Sequence, residues 1–381
     1  MLEGIVSFGV GLFIAAWLVV FLQKLRILNS LEKLDNLMEI SKPKVSAVIP
    51  ARNEEKTIGR CIDTLLRQRN VLTEVVVVDD NSTDRTWEVV QDYVPRGVKA
   101  VKSGSPPQGW VGKTWACNVG YRESTGDWIL FTDADTHFSE DLIALAVSKA
   151  EEKGAELITL YPRLRFNSVL HKLSMPILLT GFYLFGRPHM VSSKQSAFAF
   201  GSFILFKRSA YERIGGHSVV KNALLEDRAI ALRAVRAGVN ITFAKALDRL
   251  TSSWNDDSKS LWNGMLRIFI PLTLDRPVKQ TFMYVVLVML CLAIPPVAFL
   301  AGNFVGFLAS YLTASVVLGH EARVHSASFL HGFLWYAGAV AVSAALITSI
   351  WRSARKPWVS WRGRRYTVQM GELHEAVVNF S

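Results

Sequence analysis

The sequence predicts an α/β fold, a parallel sheet layered with helices, tethered to a membrane by apolar helices at both ends. Three observations carry this. Apolar β-branched runs alternate with helical patterns from Val45 to Tyr161. Two of those runs end in carboxylates, Asp79-Asp80 and Asp133-Ala134-Asp135. Long uncharged stretches flank the region at Ile5–Leu22, Phe282–Leu318 and Phe329–Ile350.

Composition supports the membrane reading. Of 381 residues, 50% are hydrophobic and the mean hydropathy is +0.24, high for a soluble enzyme. Lysine and arginine number 43 against 32 acidic residues, a net charge of +11. Such an excess suits an anionic membrane surface and phosphorylated substrates. No arginine-rich tract interleaved with aromatics occurs in the soluble part, so nucleic acid is not an expected partner. Cys61, Cys117 and Cys291 lack metal-ligand spacing and read as buried thiols in a reducing compartment.

Ile5–Leu22 is apolar for 18 residues, about the minimum for a spanning helix. Met1-Leu-Glu3 gives no basic start, and no small-residue cleavage site follows, so the stretch reads as an uncleaved anchor at 1–23. Lys24, Arg26 and Lys33 come next and by the positive-inside rule place the following chain in the cytoplasm. Residues 24–43 read as a membrane-surface helix and linker, with helical spacing over Leu25–Ile40 and a stop at Pro43.

The catalytic-domain candidate spans 44–258. Val45–Ile49 is its first strand, and Pro50-Ala51-Arg52-Asn53-Glu54-Glu55 is a loop into the helix Ile58–Arg69. Glu74–Val78 is a buried parallel strand. It runs into Asp79-Asp80-Asn81-Ser-Thr-Asp84, which supplies N-cap chemistry for the helix Trp87–Tyr93. Pro106–Gly112 is a loop before Lys113 and the helix Thr114–Ser124. The strand Trp128–Thr132, a helix near Leu142–Lys153 and the strand Glu156–Tyr161 follow. Pro176–Phe206 is apolar and aromatic but interrupted by Arg187, His189 and Lys194, which fits a membrane-facing acceptor surface or a plain core segment equally. Glu226 and Asp227 fall in the first turn of a helix, where the macrodipole favours carboxylates.

Beyond this, 259–281 reads as an interfacial amphipathic segment. Phe282–Leu318 holds 37 residues without a charge. As one helix it would be about 55 Å long against a hydrocarbon core of about 30 Å. Pro295-Pro296 and Gly302-Asn303 offer breaks, so 282–350 is expected to hold three spans. The basic tail, 351–381, belongs on the cytoplasmic side by its charge, although the span count alone would place it outside.

The chemistry is expected at strand ends. A strand ending in Asp133-Ala134-Asp135 directs both carboxylates to one side if the backbone stays extended. Two such groups suit Mg2+, which typically takes one or two carboxylates plus substrate phosphates, and Mn2+ accepts the same oxygen ligands. A solvated turn and helix capping by Asp80 or Asp84 are the simpler readings of each motif alone. Acidic ends on two separate strands nevertheless form what a ligand crevice in such a sheet requires. Gly-x-Gly-x-x-Gly and phosphate-loop motifs are absent, which disfavours a dinucleotide enzyme or P-loop ATPase.

Taken together the motifs resemble the family-2 inverting glycosyltransferases of the GT-A fold, a Rossmann-like nucleotide-diphospho-sugar transferase domain. The likeness covers roughly Val45 to Trp262. It rests on Val45-Ser-Ala-Val-Ile-Pro-Ala-Arg-Asn-Glu-Glu, Val75-Val-Val-Val-Asp-Asp-Asn-Ser-Thr-Asp, Gly112-Lys113 with Ala116 and Asn118, Thr132-Asp-Ala-Asp, and Gly215-Gly216 followed by Leu225-Glu226-Asp227. The segment from Gly201 to His217 and the tail Trp361-Arg-Gly-Arg-Arg-Tyr are similar to carotenoid- and hopanoid-associated members. A Gln-x-x-Arg-Trp motif is absent near Ser260–Phe269, which argues for adding one sugar to a lipid over polymerising. Many members carry an aromatic where His217 stands, so this histidine packs on substrate or on protein.

The resemblance implies a multi-pass cell-membrane enzyme that moves one sugar from a nucleoside-diphosphate sugar, a UDP-sugar first, to a lipid hydroxyl. Asp133 and Asp135 would hold a divalent cation, Mg2+ or Mn2+. Pro50, Ala51, Asn53, Glu54, Asp80, Lys113 and Asp133 would bind the donor. Asp227 would act as general base, with Glu226 the second candidate. The alternatives are a polyprenyl-phosphate sugar transferase, whose acceptor needs no base, and a nucleotide-sugar-binding membrane protein without turnover. A transporter is disfavoured because the spans lack charges in their interiors.

Overall fold

Runs such as Val75–Val78 can be satisfied only with both faces covered, and that requirement builds the central sheet. The computed structural model describes residues 2–35, 42–183, 197–254, 257–275, 278–355, 357–370 and 376–379. They fall into two units. One comprises Leu31–Arg163, Pro188–Ser253 and Gly371–Ser381; the other comprises Met1–Ser30, Leu164–Arg187 and Trp254–Met370. Arg187, His189 and Lys194 lie outside the described residues.

The first unit holds the sheet. Its strands are β1 (Glu32–Lys33), β2 (Lys44–Ala51), β3 (Leu72–Asp79), β4 (Lys99–Lys102), β5 (Trp128–Phe131), β6 (Leu157–Tyr161), β7 (Ile204–Lys207) and β8 (Ile241–Lys245). Their order across the sheet is β1-β8-β6-β7-β5-β2-β3-β4. β2 is flanked by β3 and β5, both parallel to it, so three carboxyl ends open at one edge. β7 is the exception to the expected parallel sheet: it runs antiparallel between β5 and β6. The chain reaches β7 after a long excursion through the other unit, so it is free to enter from the opposite end.

Helices Ile58–Leu66, Gly112–Arg122 and Leu142–Glu152 cover the sheet. Gly120 sits where its helix meets β2 and β3. A Cβ there would lie 2.3 Å from a Val48 methyl and 3.0 Å from a Val78 methyl, so only glycine allows this approach.

The second unit carries the apolar helices. Among the described residues three are long and apolar enough to cross a bilayer: Glu3–Ser30, Phe304–Val324 and Phe329–Ser353. The first corrects the surface helix expected over 24–43. The helix runs unbroken from Leu2 to Ser30, and Glu32–Lys33 is already a strand paired with β8. Residues 36–41 lie outside the described residues. In the long apolar run the break falls at Gly302-Asn303 and not at Pro295-Pro296, which sit inside the helix Val278–Leu300. Gly302 adopts φ +78° and the Asn303 carboxamide accepts from Gly306 N at 2.8 Å, so this site has both the backbone freedom and the cap a new helix needs. Within Ser258–Asp275, read as interfacial, Leu261, Met265, Leu266 and Ile270 are buried against protein. The basic tail folds into a hairpin, Trp358–Trp361 against Arg364–Met370.

Because these helices extend past the apolar stretches, charges come in at their ends. Lys24 pairs with Glu321, and both are almost wholly buried. His320 Nδ1 lies 3.0 Å from the ammonium, and His325 Nε2 lies 3.1 Å from Glu321 Oε1. Tyr183 Oη donates to that same oxygen at 3.4 Å.

Gly120→Ala is expected to destabilise the protein by about 1–3 kcal/mol, read as a lowered midpoint in thermal unfolding. Lys24→Met strands the Glu321 carboxylate and should cost about 3–5 kcal/mol, whereas Lys24→Met with Glu321→Leu should recover most of that loss in the same melt.

Candidate functional site

The open edge of β2, β3 and β5 gathers the predicted residues of the first unit. Pro50 and Ala51 end β2, and Asp79 ends β3. Asp80 N donates to Ala51 O at 2.8 Å, which ties the two strand ends together. Two loops then lock onto each other. Asn53, at φ +55°, accepts from Thr83 N through Oδ1 at 2.8 Å, and Asn53 N donates to Ser82 Oγ at 3.0 Å. Glu54 is buried; its N donates to Thr86 Oγ1 at 2.7 Å, and its Oε2 accepts from Thr57 Oγ1 at 2.9 Å. The capping falls to Asp84, whose Oδ1 accepts from Thr86 N at 3.0 Å. Asp80 directly follows the carboxyl end of β3 and is nearly fully buried.

Beside these loops stands the acidic turn. β5 ends at Phe131, and Ala134–Asp135 form a turn in which Thr136 N donates to Asp133 O at 3.3 Å. The extended alternation expected for Asp133 and Asp135 therefore stops short of them. Asp133 Oδ1 accepts from Lys113 Nζ at 2.7 Å, while Asp135 Oδ1 accepts from Ser252 Oγ at 3.2 Å. Cys61 lies beneath, its Sγ 3.7 Å from Asp133 O. Burial and then the Asp135 charge push its thiol well up, which favours the protonated form.

Lys113 sits in the first turn of the helix Gly112–Arg122, beside Asp133 and in an ion pair with Glu226. Burial works against the ammonium, but Asp133 and Glu226 outweigh it and hold its pKa well above the ordinary lysine value. What brings Glu226 so far along the chain to Lys113 is a backbone clasp. Lys221 O accepts from Val111 N at 2.8 Å and from Thr114 Oγ1 at 2.7 Å. The next helix, Glu226–Arg236, starts five residues later with both acids in its first turn. Arg228 N donates to Asp227 Oδ1 at 2.7 Å.

The convergence point is Gly201, just ahead of β7. A Cβ built on it would lie 3.1 Å from Asp133 Oδ2, 3.5 Å from Lys113 Nζ and 3.6 Å from Asp227 Oδ2. Groups from three separate segments thus face one small volume beside Gly201, held open because residue 201 has no side chain. The Gly201-Ser202 step before an apolar strand was the signal in the sequence for this position.

His217 packs on protein. The double glycine Gly215-Gly216, at φ +84° and +58°, turns the chain under the Tyr211 ring. Tyr211 Oη accepts from His217 N at 2.9 Å and lies 2.7 Å from Nδ1, while the imidazole meets Phe131 edge-on at 4.6 Å.

Residues 46–215 match the model of glycosyl transferase family 2. This segment is a family-2 glycosyltransferase domain. The matched span contains Asn53, Asp80, Lys113, Asp133, Asp135 and Gly201; Glu226 and Asp227 lie just beyond it. The chain is 27% identical over 201 residues to a 4,4'-diaponeurosporenoate glycosyltransferase of Staphylococcus haemolyticus, 52% of this chain and 53% of that protein. To the protein of that name from Staphylococcus aureus it is 28% identical over 191 residues, 49% of this chain and 50% of the relative. The chain thus spans about half the length of the curated relatives it matches. Among solved structures, the mannosyltransferase PcManGT from Pyrobaculum calidifontis in complex with GDP-Man and Mn2+ aligns at a TM-score of 0.52 and 18% identity, covering 93% of this chain and 99% of that one. That likeness establishes the GT-A fold of the glycosyltransferase domain.

Burial, followed by the nearby Lys113 charge, pushes His217 down from 6.5 to about 3. The unfolded chain takes up a proton near pH 6.5 that the folded chain refuses. The stability tied to this group is therefore complete above that pH and drains away as pH falls toward about 3. Between about pH 8 and about pH 5 the loss is on the order of 2 kcal/mol. His217→Gln should flatten this part of the acid dependence in thermal melts taken across the range.

Proposed function

We propose that the chain is a membrane-bound inverting glycosyltransferase that moves one sugar from a nucleoside-diphosphate sugar to a hydroxyl of a lipid acceptor. The observation that carries the reading is the meeting of Asp133, Lys113 and Asp227 over Gly201 at the sheet's carboxyl edge. The carotenoid-directed names of the relatives favour an apolar isoprenoid lipid as acceptor. The apolar helices favour its delivery from the membrane, with the catalytic unit on the cytoplasmic side by Lys24 and Arg26 near the carboxyl end of the first helix.

The donor's nucleoside would lie against the Pro50–Glu54 loop and Asp80. Asp133 and Asp135 offer hard oxygen donors that fit Mg2+ or Mn2+. Among the described residues no group of three or more His, Cys, Asp or Glu side chains is placed to hold an ion. A substrate diphosphate would supply the remaining oxygen ligands. When bound, the cation would act as a Lewis acid on the departing diphosphate. Lys113 adds a fixed positive charge beside Asp133 and keeps neighbouring carboxylates from repelling one another.

Asp227 is the better placed base. Glu226 is engaged by Lys113, whereas Asp227 anchors one oxygen on Arg228 N and turns Oδ2 toward the Gly201 volume. There it can accept the proton of an incoming hydroxyl while the sugar's leaving group departs on the other side. A single displacement of this kind inverts the anomeric centre.

Purified protein incubated with labelled UDP-glucose and a membrane lipid extract, with other nucleotide-sugars in parallel, tests the reading by mass spectrometry of the lipid product. Asp227→Asn should lower transfer by about 10²–10⁴-fold while nucleotide-sugar binding persists. Substantial activity in that variant would favour a phosphate acceptor, and absence of metal-dependent transfer to any lipid would leave only a binding role.

A further inference from the structure

Past the helix Trp335–Ser353 the second unit carries a cluster of arginines stacked on indoles, far in sequence from the proposed chemistry. Arg352 lies 3.7 Å and Arg365 4.0 Å from the Trp358 ring centre. Arg355 covers Trp351 at 4.3 Å, and Arg267 covers Trp361 at 4.7 Å. Two guanidinium groups on one indole is an arrangement that like charges resist. Among the described residues none of Arg267, Arg352, Arg355 and Arg365 has a carboxylate partner. The stretch Trp351–Met370, which holds Arg352, Arg355 and Arg365, contains no aspartate or glutamate.

The register explains how the charges gather. Trp358 and Ser360 face Thr367 and Arg365 across the hairpin, on the side opposite the buried Val359–Tyr366 pair. Arg352 reaches this outer side from the preceding helix and donates to Trp358 O at 3.3 Å. Trp351 is 54% exposed at the end of a helix apolar enough to cross a bilayer. Exposed tryptophan beside unneutralised arginine is the chemistry of a membrane boundary, where indoles sit at headgroup depth and cations meet phosphates.

We propose that Trp351, Arg352, Arg355, Trp358 and Arg365 form a binding site for anionic phospholipid headgroups. The indoles hold the guanidinium planes in place, so little side-chain freedom is lost when a phosphate binds. The lipid phosphate supplies the counter-charge that these arginines lack among the described residues. The site is independent of the transfer reaction and is read without it.

The test uses the full chain in nanodiscs of phosphatidylcholine alone or of equal parts phosphatidylcholine and phosphatidylglycerol, followed by native mass spectrometry of retained lipid. Wild type should retain phosphatidylglycerol in preference to phosphatidylcholine, and added salt should weaken that preference. Arg352→Gln with Arg365→Gln should weaken phosphatidylglycerol retention roughly thirtyfold, from about 1 kcal/mol per arginine at an anionic surface. Arg323→Gln, at another helix end, should leave it unchanged. Equal retention of the two lipids by wild type overturns the proposal even if the double variant fails to fold, and so does undiminished phosphatidylglycerol retention in a folded double variant.

Discussion

The candidate site depends on one charge held between two others. Asp133 comes from just past the end of β5, Glu226 and Asp227 from the first turn of a later helix, and the three carboxylates would repel one another at close range. Lys113 sits between Asp133 and Glu226 and offsets that repulsion. Its position is set by the helix that begins at Gly112, and that helix is in turn clasped by Lys221 O. The catalytic candidates are therefore not independent features. Each is placed by the sheet edge, by the clasp, or by the ammonium group that joins them.

The same logic of compensated charge recurs in the apolar unit, with the opposite outcome at its two ends. Lys24 and Glu321 are buried together and answer each other within the protein. Arg352 and Arg365 have no carboxylate partner among the described residues and stack on Trp358 instead. A protein that neutralises one buried pair so fully has the means to neutralise others. The exposed cluster is thus the natural place to look for an external anion.

Reactive groups that serve structure can be separated from those that serve chemistry by what surrounds them. Cys61 and Cys117 are buried thiols whose surroundings favour the neutral form. His217 is a neutral ring wedged among Phe131 and Tyr211, and its presence beside Lys113 raises no second base in the site. The open position belongs to Gly201, which contributes space alone.

Much of this was legible in the linear chain because burial leaves a local mark. The β-branched runs at β2, β3 and β5 and the acids that end them could be read directly, since a strand buried on both faces admits few polar residues. The helix start at Glu226 and the apolar stretches were legible for the same reason. The strands β4, β7 and β8 were not, because their form depends on the neighbours they pair with and not on a pattern of their own. The turn at Ala134–Asp135 and the break at Gly302 in preference to Pro295-Pro296 likewise depended on hydrogen bonds made in the folded chain. By itself, then, the sequence determined the fold class, the acidic strand ends and the apolar helices. Only the tertiary structure decided that Asp133, Lys113 and Asp227 meet over Gly201, because contacts between residues so distant along the chain leave no periodic trace in it.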